Sequence, residues 1–150
     1  MSPIPRLPLL IGLAGLIPFL WNALTVTFDP LAYWSIQTFG ARFTGPYLGV
    51  FYGAVILAFM SGILWGFATK THGNTAALGY ALSVPPAFWA FFSTGGGHVT
   101  AALNLAIGFL ALLLLDAFFV RNKLAPSWWM GLRIPLTVVV VTCLLIGATA

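Results

Sequence analysis

Two charged side chains, Asp116 and Arg133, lie inside long apolar runs, and these are the residues with the clearest capacity for chemistry. A charge in hydrocarbon costs at least about 2–3 kcal/mol, so such a residue is by default functional or strongly paired. Asp116 lies five residues before Arg121, and Arg133 lies five residues after Trp128. If the two runs are consecutive antiparallel helices that cross a membrane, a rise of about 1.5 Å per residue puts both residues at nearly the same distance from the same membrane surface.

The matched depth predicts an ion pair between Asp116 and Arg133 that fixes the register of two neighbouring helices. Opposite charges with good hydrogen bonds offset part of the cost of removing both from water. The alternative is that the two residues handle protons or anions, since perturbed ionisable groups in membranes often mark transport routes. The structural pairing is the preferred interpretation.

The composition requires that lipid, not water, surrounds the elements carrying these charges. Of 150 residues, 61% are hydrophobic and 5% are charged, whereas a soluble domain has about 25% charged residues. The net charge of +4 comes from basic residues too few and too dispersed to follow a nucleic acid backbone. We therefore expect an integral membrane protein that contacts the lipid bilayer and does not bind nucleic acid.

Five stretches approach the roughly 20 apolar residues that a transmembrane helix needs. They predict an all-α bundle and one transmembrane domain over residues 1–150, with spans at about 7–28, 45–68, 76–94, 98–120 and 128–149. Arg6 before the first run raises the possibility of a cleaved signal peptide, but residues 23–25 (Ala-Leu-Thr) form a poor cleavage site. We expect the first helix to be retained.

The distribution of Lys and Arg predicts the orientation of the bundle. With five crossings, one face carries Arg6, Lys70, Arg121, Lys123 and Arg133, and the other carries only Arg42. Because basic loops stay in the cytoplasm, the N-terminus should be inside and the C-terminus outside. On the outer face, Asp29 as the N-cap and Pro30 as the first helical residue predict the start of a short helix, and Gly40 predicts its end. We expect this helix, within residues 29–44, to lie at the membrane surface.

Uncharged residues suggest how the helices pack. Asn22 and Asn104 are predicted to form a second pair at matched depth, since amides commonly join helices in membranes. The spacing of small residues in the second span predicts close helix packing, with internal packing the preferred interpretation and a docking face for a partner the alternative. These residues are Gly49, Gly53, Gly62 and Gly66.

Other patterns argue against a cofactor or an active site. His72 and His98 fall on opposite faces, so they cannot share a metal, and neither lies where an axial haem ligand would be expected. The sequence SerThrGlyGlyGlyHis at 93–98 lacks the ending of a phosphate-binding loop. Pro85-Pro86 should kink the third span. We expect no catalytic residue, metal site or bound cofactor.

Several motifs together resemble the domain of unknown function 3429 family, bacterial inner-membrane relatives of mitochondrial transmembrane protein 69. The resemblance covers nearly the full length, and its most specific part runs from Tyr52 to Trp65-Gly66. It also includes LeuAlaGlyLeuIleProPhe at 13–19, Asp116, Trp128-Trp129 and Leu132-Arg133. The resemblance implies five helices in an energy-coupling membrane and no established activity, with Tyr52, Trp65 and Trp128 at family-motif positions.

We therefore predict a non-catalytic accessory, assembly or stabilising subunit of a larger respiratory or photosynthetic complex in the bacterial cytoplasmic (inner) membrane. Other membrane-protein subunits would be its partners. The first alternative is a small transporter or channel that uses Asp116 and Arg133. The second is a membrane enzyme acting on lipid or quinone, which would have only one carboxylate for its chemistry.

Overall fold

The computed structural model describes residues 2–149, and within that range the regular structure is entirely helical. Five segments are long and apolar enough to cross a membrane, which confirms the predicted all-α fold and number of spans. The helices are α1 (Arg6–Ala14), α2 (Ile17–Thr27), α3 (Asp29–Phe39), α4 (Tyr47–Ala68), α5 (Gly73–Ser83), α6 (Pro85–Phe92), α7 (His98–Arg121) and α8 (Trp129–Ala148). The first span consists of α1 and α2, and the third of α5 and α6. The predicted inside–outside orientation stays a prediction.

The first span is interrupted at Gly15 and Leu16, between α1 and α2. Pro18 has no backbone N–H, so the carbonyl of Ala14 loses its usual helical donor. The Leu16 N–H bonds the Leu13 carbonyl over a shorter turn, at 3.1 Å. The Gly15 carbonyl accepts a hydrogen bond from the Tyr52 hydroxyl at 2.9 Å. A side chain of α4 therefore supports the interruption from the side.

The third span is interrupted where Pro85-Pro86 was predicted to kink it. The Ser61 hydroxyl on α4 donates to the carbonyl of Ser83, the last residue of α5. The same oxygen accepts a 3.3 Å hydrogen bond from the Ala87 N–H in α6. Ser61 thus bonds backbone groups on both sides of the interruption, as expected where a broken helix lies against protein rather than lipid.

The short helix predicted within residues 29–44 forms, but Asp29 is its first residue and not its N-cap. Residue Asp29 already belongs to α3, the preceding Phe28 holds the capping position, and no side chain caps the helix. The helix ends at Gly40, whose φ of 93° is readily adopted by glycine. Ser35 and Thr44 share a 2.6 Å hydrogen bond that attaches α3 to the following segment.

The core lies where α4, α7 and α8 meet, with α2 against α4 and α8. α7 and α8 form the most extensive contact between helices in the described chain. Because they are joined by the short connection 122–128, they run antiparallel, which brings the end of α7 beside the start of α8. We call the end of the bundle where α1 and α8 begin the N-terminal end, and the opposite end the C-terminal end.

Candidate functional site

The two charges predicted to pair lie together near the N-terminal end. Arg133 Nε donates to Asp116 Oδ2 over 2.9 Å. A third residue completes the cluster, because Trp129 Nε1 donates to Asp116 Oδ1, also at 2.9 Å. Asp116 has 0% of its surface exposed and Arg133 has 5%. We call Asp116, Trp129 and Arg133 the charged cluster.

The helices position this cluster by simple periodicity. Trp129 and Arg133 are four residues apart on α8, so their side chains leave the same face of the helix. That face lies against α7, where Asp116 is one of the buried residues of the last two turns. Both carboxylate oxygens consequently receive a donor from α8.

The charged cluster is neutral overall, but its hydrogen bonding is incomplete. The Asp116 carboxylate accepts two hydrogen bonds, and one of them comes from the arginine that balances its charge. Arg133 engages the carboxylate through Nε and not through the two-pronged geometry typical of arginine. Its Nη2 atom is buried and has no hydrogen-bond partner in the described part of the chain. This leaves unused donor capacity inside the bundle.

The predicted pair Asn22 and Asn104 does not form, because each amide bonds other groups. Asn22 Oδ1 accepts the Gly49 N–H at 2.8 Å, and its Nδ2 lies 3.5 Å from the Cys143 carbonyl. Asn22 therefore joins α2 to α4 and α8. A matched depth along two helices does not bring two side chains together when the helices face different neighbours.

Asn104 instead stabilises the turn between α6 and α7. Its Nδ2 donates to the Ser93 carbonyl at 2.9 Å. Its backbone carbonyl accepts a 2.7 Å hydrogen bond from Trp89 Nε1. The polar turn at 93–98 is thus attached to α7 by a side-chain amide.

The four glycines of α4 divide into two groups. An added Cβ on Gly49 would lie 2.8 Å from the Asn22 side chain, and one on Gly53 would lie 3.1 Å from Leu105. These two glycines therefore permit the close approach of neighbouring helices. An added Cβ on Gly62 or Gly66 would meet no atom of residues 2–149 within 4 Å, apart from adjacent residues and the nearby backbone of α4 itself. The prediction that Gly62 and Gly66 pack inside the bundle is wrong, because both lie on the exposed surface of α4.

The aromatic residues at family-motif positions have different environments. Tyr52 bonds the interruption of the first span, as described above. Trp65 is 49% exposed and its ring lies 4.6 Å from that of Tyr80. Trp128 is half-buried immediately before α8. Trp129, which was not predicted to bond the charged pair, is 7% exposed and donates a hydrogen bond to Asp116.

The two histidines lie at opposite ends of the bundle. His98 begins α7, with its ring 6.0 Å from that of Tyr47. His72 precedes α5 at the N-terminal end. Within residues 2–149, no three side chains of His, Cys, Asp or Glu come together in a way that could hold a metal ion.

Comparison with known proteins agrees with this architecture. Residues 4–149 match the family described as protein of unknown function DUF3429. The chain is also 32% identical over 141 residues to Transmembrane protein 69 of Xenopus tropicalis, an alignment that covers 91% of this chain and 51% of that protein. The chain thus spans about half the length of this relative. No solved structure matches. The chain is therefore a multi-pass membrane protein that belongs to the DUF3429 family.

Proposed function

We propose that this protein is a non-catalytic accessory, assembly or stabilising subunit of a larger energy-coupling complex in the bacterial cytoplasmic membrane. The observation that carries the proposal is the exposed small-residue surface of α4. Ala58, Gly62 and Gly66 follow one another at intervals of four residues, and all three are exposed. We call these three residues the α4 glycine face.

The α4 glycine face has the composition of a contact between membrane helices. Small residues four apart let two helix backbones approach closely, which increases packing and weak hydrogen bonding between them. Here the space in front of Gly62 and Gly66 is open within the chain itself. Gly49 and Gly53, the corresponding residues nearer the C-terminal end, are already covered by α2 and α7 side chains. A transmembrane helix of another subunit would fit the open half of α4.

The charged cluster supports a structural rather than a catalytic role. An acid or base catalyst needs a carboxylate that can reach a substrate, with a second group to complete the reaction. Both oxygens of Asp116 are instead bonded to α8, and the residue has no exposed surface. The same burial disfavours an aqueous transport route through Asp116. The respiratory or photosynthetic setting rests on the family resemblance.

The proposal is tested by purifying a tagged copy from its native membrane in a mild detergent. We expect a partner in fixed stoichiometry that is lost from the double variant Gly62→Leu and Gly66→Leu. The free chain should tolerate both leucines because nothing occupies the space they enter. Val138→Phe is the matched control, since it adds bulk to a surface of α8 that is 59% exposed.

Two results would contradict the proposal. One is a clean monomer or homo-oligomer under conditions that preserve other membrane complexes. The other is a partner that the double variant and the Val138→Phe control retain equally. Uptake or flux that is abolished by Asp116→Asn or Arg133→Ala would instead favour the transporter alternative.

A further inference from the structure

A cavity of about 250 Å³ lies between the first span and helices α4, α7 and α8. Most of its lining is apolar and includes the deeply buried Phe19 and Phe109. Two lining residues are well exposed on the outer surface of the bundle: Ile11 of α1 and Phe59 of α4, each at 62%. The cavity therefore extends from the core towards the surface that faces lipid.

The interruption of the first span helps to make room for this cavity. Gly12 and Gly15 line it, and neither has a side chain to occupy the space. Gly15 lies where α1 gives way to α2, and the Tyr52 hydroxyl that bonds it belongs to a third lining residue. The broken helix thus borders a cavity, which is where irregular backbone is tolerated in membrane proteins.

Two polar residues of α8, Arg133 and Thr137, line the cavity one helical turn apart. Arg133 is 5% exposed and Thr137 is 2% exposed. Arg133 Nη2 and Thr137 Oγ1 are both buried and have no hydrogen-bond partner among residues 2–149. A buried polar group without a hydrogen bond destabilises the protein, so a ligand that bonds these two atoms would remove that penalty.

Charge balance selects the chemical class of the ligand. Asp116 already neutralises Arg133, so a bound carboxylate or phosphate would leave a net negative charge in hydrocarbon, which is strongly unfavourable. A carbonyl oxygen accepts hydrogen bonds from a guanidinium N–H and a hydroxyl without adding charge. The free donors are therefore best matched by a neutral acceptor.

The size of the cavity selects the shape of the ligand. It exceeds the engineered cavity of about 150 Å³ that holds benzene, but it is smaller than the roughly 300–1,000 Å³ of a typical ligand pocket. One substituted ring or one ester group would fit, with an apolar tail leaving towards lipid between Ile11 and Phe59.

We infer that this cavity binds the head of a lipid-soluble molecule through a neutral carbonyl oxygen, which accepts hydrogen bonds from Arg133 and Thr137. Two abundant sources of that chemistry are membrane quinones and the ester groups of glycerolipids. None of Ala58, Gly62 and Gly66 lines the cavity, so the inference does not depend on the proposed subunit role.

The test uses the full chain in a maltoside detergent, which carries no carbonyl group. Four probes with ten-carbon chains are compared by the concentration at which each raises the melting temperature. They are decyl-benzoquinone, the glycerol monoester of decanoic acid, decanoate, and decylbenzene as the control without a carbonyl. We expect the quinone or the ester to act at lower concentration than decylbenzene and decanoate, and whichever does so identifies the source.

The variant Thr137→Val tests the hydrogen bond while keeping the side-chain volume. Loss of one hydrogen bond should weaken binding of the active probe by about fivefold to tenfold. Thr142→Val is the matched control, because the Thr142 hydroxyl bonds its own helix at Val138 and does not line the cavity. This control should bind like the unmodified protein.

Three results would overturn the inference. The first is that neither carbonyl probe acts at lower concentration than decylbenzene. The second is that decanoate binds more tightly than both carbonyl probes. The third is that the two threonine variants bind the active probe equally. The first result would mean that the cavity is a packing void or holds water.

Discussion

The charged cluster and the hydrogen bonds of Asn22 to α4 and α8, which we call the Asn22 junction, both connect helices through polar groups. They differ in whether side chains or backbone groups are the partners. In the charged cluster, two side chains of α8 bond one carboxylate of α7. In the Asn22 junction, one side chain of α2 bonds backbone groups of α4 and α8. The first joins side chains beside a cavity, and the second brings the Asn22 side chain so close to the α4 backbone that only glycine fits at position 49.

This difference shows how each contact specifies the fold. Gly49 makes the Asn22 junction possible, since any larger residue would place an atom 2.8 Å from the amide. The charged cluster depends on charge neutrality, because either ion alone in the bundle would lack compensation. The Asn22 junction is therefore specified by shape, while the charged cluster is specified by charge and retains a free donor beside a cavity.

The largest expected effect comes from removing one charge of the cluster. Asp116→Leu or Arg133→Met should each lower the free energy of unfolding by about 3–5 kcal/mol, because the charge of the other residue stays buried without compensation. The double variant should lose less than the sum of the single losses. Reversible unfolding in mixed micelles measures all three variants. Additive losses would show that the two charges do not stabilise each other.

Trp129→Phe tests whether the aromatic residue is a bonded member of the cluster. Losing the donor to Asp116 Oδ1 should reduce the free energy of unfolding by about 1.5–3 kcal/mol, the range for hydrogen bonds to charged groups. Trp128→Phe is the control and should have little effect, since that neighbour is half-buried outside the cluster. Equal losses would mean that both tryptophans act only through packing.

Gly49→Ala tests the part of the comparison that depends on shape. The added methyl group would lie against the Asn22 amide, and such overpacking typically costs about 1–3 kcal/mol. Gly62→Ala on the same helix should be neutral or slightly stabilising, because the space is open and alanine favours a helix by about 0.5–1 kcal/mol. Thermal unfolding of the two variants side by side measures the contrast. Similar melting temperatures would contradict it.

Tyr52→Phe should have the smallest effect of the four. It removes the hydrogen bond to the Gly15 carbonyl, which is worth about 0.5–1.5 kcal/mol in general. Hydrogen exchange should become faster around residues 15–20 while α7 and α8 remain unchanged. Faster exchange throughout the bundle would instead show that Tyr52 supports the whole fold.

Several features could be predicted from the sequence because they depend on local composition. Apolar length predicted the five spans, proline predicted the interruption of the third, and Gly40 predicted the end of α3. The depth argument placed Asp116 opposite Arg133, since consecutive helices with a short connection must be antiparallel. The four-residue spacing that puts Trp129 on the face of Arg133 was also present in the sequence, although Trp129 was not predicted to bond Asp116.

The sequence by itself determined the spans, their order and the depth of each polar residue, because length, hydropathy and helical rise are properties of a single segment. Only the tertiary structure decided which residues face each other. Depth alone could not show that Asn22 turns to Gly49 while Asn104 turns to Ser93, or that Gly62 and Gly66 face outward. The physical reason is that the rotation of each helix about its axis is fixed by its neighbours, and so are the cavity and the donors left free inside it.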